Sequence, residues 1–155
     1  MKTLCNPAEK QELLSRIASV QPSNARLWGK MSAHQMICHL ADGYRLYMGE
    51  IHGEPVPGPA VLKAIVRNAA LYLPLSWPKG RIPTLPSIDQ VAGGGTSPAV
   101  FANDVQVLCK LLDQFTQLPK NFVFKPHPGL GSLSFSQWMR LGYLHADHHL
   151  RQFGA

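Results

Sequence analysis

The stretch SFSQWMRLGYLHADHHLRQF, residues 134–153, opens on Ser134 and Gln137, an S-x-x-Q pair in which each side chain can satisfy a backbone N–H of the other at a helix start. Behind it Trp138, Leu141, His145, His149 and Gln152 recur at steps of three and four, so they share one side of a helix. That side carries tryptophan and leucine and should face an interior. His145 and His149, four apart, then lie about 40° from each other and one turn apart along the axis, close enough to share a ligand.

Working outward, the same start signals recur. Asn6, followed by Pro7 and Glu9, opens NPAEKQELLSRIASV, where Leu13, Ile17 and Val20 keep helical spacing. Ser32 and Gln35 form a second capping box ahead of AHQMICHLADGYRLYMGE. Pro59 begins PAVLKAIVRNAALYL, and Ser97 with Pro98 begins a helix running to Leu118. Short strand-like runs such as NFVFK at 121–125 are too few to build a sheet. The expected fold is all-α: an up-and-down four-helix bundle with an extra short helix. Between Leu73 and Thr96 runs PLSWPKGRIPTLPSIDQVAGGG, a Pro/Gly-rich connection far longer than a bundle normally needs.

A single domain spanning 1–155 suits the length, and 45% apolar residues against only 15% charged exclude disorder. No apolar run is long enough to cross a membrane, and the N-terminal segment lacks the apolar stretch of a secretory signal, so a cytoplasmic protein is expected. Cys5, Cys38 and Cys109 are odd in number and form no C-x-x-C pair, which points to reduced packing residues. Fifteen basic residues outnumber nine acidic ones, for a formal +6. They are scattered, so no stripe fits a phosphate backbone and nucleic-acid binding is disfavoured; small anionic ligands suit the surplus better.

Seven histidines beside nine carboxylates are the unusual feature. Imidazoles on an inward stripe need partners, because a bare buried ring nitrogen costs roughly 1–3 kcal/mol. His145 and His149 can be a hydrogen-bonded core pair, solvent-facing polar residues, or two ligands of a metal. Two imidazoles alone make a poor metal site, and His39, on the helix that Ser32 opens, is the best third candidate, with Gly43 leaving space one turn on. His34 points about 140° away from His39, and His148 about 100° away from His149. His52 and His127 fall in loops and read as surface residues. Asp42 and Asp147 are candidate acceptors for a ligand's free N–H. Tyr143 and Asp147 lie near the pair, but neither is assigned as acid or base. No G-x-S-x-G elbow exists, and Cys38 reads as packed.

WGKMSAHQMICHLAD, from Trp28 to Asp42, and HPGLGSLSFSQWMRLGYLHADHHLRQFG, from His127 to Gly154, resemble the DinB/YfiT-like metalloenzyme superfamily, in particular its branch ending in HHLRQFG. The resemblance covers most of the chain. It implies a four-helix bundle holding a divalent metal, zinc or nickel, on His39, His145 and His149. Many relatives carry Gly-Gln after the last histidine, where this chain has Leu150 and Arg151 before Gln152. The resemblance further implies transferase or hydrolase chemistry on a small-molecule substrate, with a low-molecular-weight thiol as one class, and a homodimer. Three neutral imidazoles leave a divalent ion its charge and open positions, where the pKa of a water or thiol is lowered. The rival reading is a non-catalytic, stress-linked binding protein in which the metal serves structure. A fourth protein ligand would favour that rival.

Overall fold

The computed structural model describes residues 1–74 and 76–155; Leu75, inside the expected connection, lies outside the described residues. Among the described residues the chain forms five α-helices: α1 Pro7–Ser19, α2 Ala33–Met48, α3 Ala60–Tyr72, α4 Phe101–Thr116 and α5 Phe135–Gln152. A 3₁₀ turn covers Pro86–Ile88, and no strand is present among these residues. The expected all-α architecture is what the chain adopts.

The helix starts follow local chemistry. Asn6 Oδ1 accepts the Ala8 N–H at 3.0 Å, with Pro7 at the first position of α1. Both S-x-x-Q pairs close as reciprocal capping boxes, Ser32 with Gln35 and Ser134 with Gln137. One start differs from expectation. α4 begins at Phe101 rather than at Ser97–Pro98: ahead of it Asp42 draws in the Thr96 N–H at 2.7 Å and Asp104, on α4 itself, takes the Ala99 N–H at 3.0 Å, which fastens the segment in an extended path. Residues 96–100 stay outside the helix.

α1 and α2 each pack against both α4 and α5, so these four form the bundle, with α1 diagonal to α2. The interior is built from Leu13 and Ile17 of α1, Met36, Ile37, Leu40 and Tyr44 of α2, Leu108, Leu112 and Phe115 of α4, and Met139 and Tyr143 of α5. Gly142 permits a close approach: a Cβ there would come within 3.0 Å of both Leu4 and Phe115 side chains. The Tyr44 hydroxyl donates to its carbonyl at 3.1 Å.

α3 is the extra helix, packed on α5. It is dressed in reverse. Only Leu71 is buried, while Val61, Leu62, Ile65 and Val66 are exposed. Its cations instead face the chain, Lys63 donating to the Pro128 carbonyl at 3.3 Å and Arg67 to that of Ser132 at 2.6 Å.

The long connection after α3 is fastened to the bundle by one buried carboxylate. Asp42, 0% exposed, accepts from the Thr96 N–H and hydroxyl at 2.7 Å each, from Arg45 at 2.9 Å and from the Gln90 amide at 3.3 Å. Gly95 makes the approach possible: its φ is +78°, and a Cβ there would stand 2.5 Å from Asp42 Oδ2. A carboxylate so deeply buried is tolerable because its oxygens are matched by donors, and its loss strands those donors. Asp42→Ala should therefore destabilise the protein by about 3 kcal/mol in urea unfolding. Glu54→Ala, which removes only the exposed pairing with His52 at 3.2 Å, should change stability by less than about 0.5 kcal/mol.

Candidate metal centre

Where α2 crosses α5, three imidazoles converge. His39 comes from the middle of α2 and is 3% exposed; His145 and His149 come from successive turns of α5. One candidate ligand atom from each lies within 4.8 Å of the other two, an arrangement able to hold a metal ion. Gly43 allows the crossing, since a Cβ at that position would press on the His145 ring at 3.1 Å.

The opposite edge of each ring is tied to an oxygen. His39 Nδ1 lies 3.0 Å from the Ile88 carbonyl, which can only accept, so the proton sits on Nδ1 and Nε2 keeps its lone pair. His149 Nδ1 lies 3.0 Å from Gln152 Oε1, and the Gln152 amide is oriented by donating to the Trp28 carbonyl at 2.7 Å. His149 Nδ1 is therefore also the protonated nitrogen. His145 Nδ1 meets the Tyr47 hydroxyl at 2.9 Å, a partner that can donate or accept. His145 Nε2 stands 3.1 Å from His39 Nε2. With the His39 lone pair in place, His145 donates through Nε2 and Tyr47 donates to Nδ1. Rotating the Tyr47 hydroxyl and moving one proton would turn the third lone pair toward the same point. The donor set therefore suits a divalent ion: three neutral nitrogens, each ring oriented by an outer hydrogen bond.

Burial keeps these rings neutral. It holds His39 below its ordinary basicity and His145 well below, the latter assisted by its histidine neighbours, and it lowers His149 to about 3. Trp77, carried by the long connection, spreads over His145 with ring centroids 6.5 Å apart and planes 29° apart. The connection thus supplies both the Ile88 carbonyl below His39 and an aromatic cover above His145.

Several sequence expectations need correction. Asp42 and Asp147 touch no histidine of the triad: Asp42 anchors the connection, and Asp147 accepts from Arg16 at 2.7 Å and Arg151 at 3.0 Å. His127 is not a surface residue. Its Nδ1 accepts the N–H groups of Gly129 and Leu130 at 3.1 Å each, its ring packs by Tyr47 and Trp138, and burial lowers its pKa to about 4. His52 is exposed as expected. His34 points away from the triad, as its helical offset requires, and forms a second group with Cys38 and Asp104. There His34 Nε2 meets Asp104 at 2.7 Å, while burial and the nearby carboxylates push the Cys38 thiol up to about 12. These contacts tie the start of α4 to α2.

The residues that sequence reasoning missed are the three outer partners and Trp77. Gln152 carried a signal, since it lies three positions beyond His149 on the same stripe. Tyr47 carried a weaker one, two turns past His39. The Ile88 carbonyl carried none, because any residue has a backbone oxygen.

The neutral rings set the stability profile in acid. Each of these histidines binds its proton in the unfolded chain near pH 6.5 but only at lower pH when folded, so stability is full above about 6.5 and falls as pH drops. The slope is about 1.4 kcal/mol per pH unit for every ring that stays neutral, continuing to about pH 4 for His127 and about pH 3 for His149. Urea titrations of metal-free protein between pH 7.5 and 5 should show this loss. His127→Gln, which keeps a polar side chain without the titration, should make it measurably shallower.

The family model described as Protein of unknown function (DUF1569) matches residues 7–155, a span that contains α2, α5 and every residue of the triad. No curated protein and no solved structure matches the chain significantly. On the extent of that match, the chain belongs to the DUF1569 family.

Proposed function

We propose that this protein is a metal-dependent enzyme of the DinB/YfiT-like kind, in which His39, His145 and His149 hold one divalent ion, zinc or nickel. The observation that carries the reading is that all three rings have their Nδ1 edges engaged by Ile88, Tyr47 and Gln152, which turns the Nε2 edges toward one another; a common ligand would replace the His39–His145 hydrogen bond once the His145 proton sits on Nδ1. Among the described residues no fourth His, Cys, Asp or Glu joins the group. That supports an open position and the enzyme over the structural-metal rival. When bound, a divalent ion supplies Lewis acidity and lowers the pKa of a coordinated thiol or water, which fits S-transfer from a small thiol or hydrolysis.

The chain's own part in that chemistry is orientation. Gln152 and the Ile88 carbonyl fix the tautomers of His149 and His39, and Tyr47 adjusts to His145. Trp77 lies alongside the His145 ring. No helix is long and apolar enough to cross a membrane. A homodimer in the cytoplasm completes the proposal.

Protein purified without a histidine tag should contain about one divalent ion per chain. His145→Ala should abolish that content and His52→Ala should leave it intact; retention in the first variant or loss in the second would sink the assignment. After cobalt substitution, glutathione should shift the visible absorption if a small thiol reaches the ion. An unchanged spectrum would count against thiol chemistry while leaving the site itself standing.

A further inference from the structure

On the outer side of α5, between the segment after α3 and the loop before α2, lies an open cleft of about 540 Å³. Small-molecule sites typically measure about 300–1,000 Å³. Trp28 and Trp77 line it together with His148, whose ring centroid lies 5.9 Å from Trp28 and 5.7 Å from Trp77. The cleft adjoins the triad: Trp77 covers His145, and the rings of His148 and His149 are 5.2 Å apart.

Its charge is unbalanced. Among the lining cations, Lys2 is matched by Glu12 at 2.6 Å, and Arg151 by Asp147 at 3.0 Å. Asp147 is the one acid in the lining, and it is already shared with Arg16 at 2.7 Å. Lys79 and Arg140 meet no carboxylate among the described residues. Arg140 donates to the backbone carbonyls of Leu71 and of Lys2, the latter at 2.8 Å, which orients the guanidinium without cancelling its charge. Lys79 Nζ stands 4.6 Å from the centroid of the Trp28 ring. Two uncancelled cations beside aromatic walls draw an anion and offer flat apolar surface to whatever carries it.

We propose that this cleft binds a small organic anion, a carboxylate, sulfonate or phosphate on a planar apolar body, with Lys79 and Arg140 attracting the charge and Trp28 and Trp77 holding the body. That names the substrate class of the metal-dependent enzyme and rests on that reading for the ligand's being a substrate. The binding itself depends only on the cleft.

The test is calorimetric titration of the full chain with 2-naphthoate and with its neutral counterpart 2-naphthalenemethanol, with metal content measured on the same samples. Naphthoate should bind at least tenfold more tightly than the alcohol. Lys79→Glu should weaken naphthoate at least tenfold and leave the alcohol within twofold, whereas Lys125→Glu, the same change of net charge away from the cleft, should leave both probes within twofold. Equal affinity for the two probes, or equal losses in the two variants, overturns the proposal. The two readings fail separately. Wild-type protein that carries no ion yet prefers naphthoate defeats the metal reading alone, and ion-loaded protein without that preference defeats the cleft alone.

Discussion

His39 aims a lone pair into the bundle because its Nδ1–H is taken by the Ile88 carbonyl, and that carbonyl stays in place because Asp42, one turn along α2, grips the connection on which Ile88 sits. The dependence is circular in space. α2 presents the histidine and also, through a fully buried carboxylate, secures the piece of chain that orients it. Three donors from Gln90 and Thr96 make that carboxylate tolerable in the interior, and Gly95 lets the backbone come near enough to supply them. A bundle with a short link in place of residues 74–96 could still pack its four helices, but His39 would lose the oxygen that sets its tautomer.

What could be read from the residues alone follows the reach of local rules. The capping boxes at Ser32 and Ser134 mark the starts of the two helices that carry the triad, and 3.6-residue periodicity places His145 beside His149 and turns His34 away. His39 follows from the same wheel together with the space at Gly43. Contacts between segments distant in the chain stayed hidden. Asp42 lies on α2 where it could serve His39, yet it serves Thr96, 54 positions on. The start of α4 likewise turned on a contact that local rules do not show, since Asp42 of α2 takes the Thr96 N–H while Asp104 of α4 itself takes that of Ala99. His127 looked like a loop residue, and it is one, but the loop folds its ring against Tyr47 and Trp138.

The basic surplus and the histidine surplus turn out to be separate matters. The histidines of the triad are neutral and inward, His34 answers Asp104, His52 meets Glu54 in solvent, and His127 accepts from backbone. The uncancelled positive charge belongs instead to side chains such as Lys79 and Arg140. Only His148 stands at the boundary between the two populations, its ring against the triad on one side and the aromatic cleft on the other.

The engaged Nδ1 edges also fix the proton inventory of the crossing. His39 and His149 already carry their single protons on the outward nitrogen, and burial has removed the second proton from every ring of the triad. The three rings would therefore have no proton of their own to give up to solvent when a divalent ion arrives near neutral pH. The one change needed is the tautomer of His145, which would lose the proton on Nε2 and gain one on Nδ1 by exchange with solvent while the Tyr47 hydroxyl turns from donor to acceptor. Any proton released on loading would then come from a water or thiol on the ion and not from its protein ligands, which sets such a centre apart from thiol-rich sites whose own side chains release protons as they load.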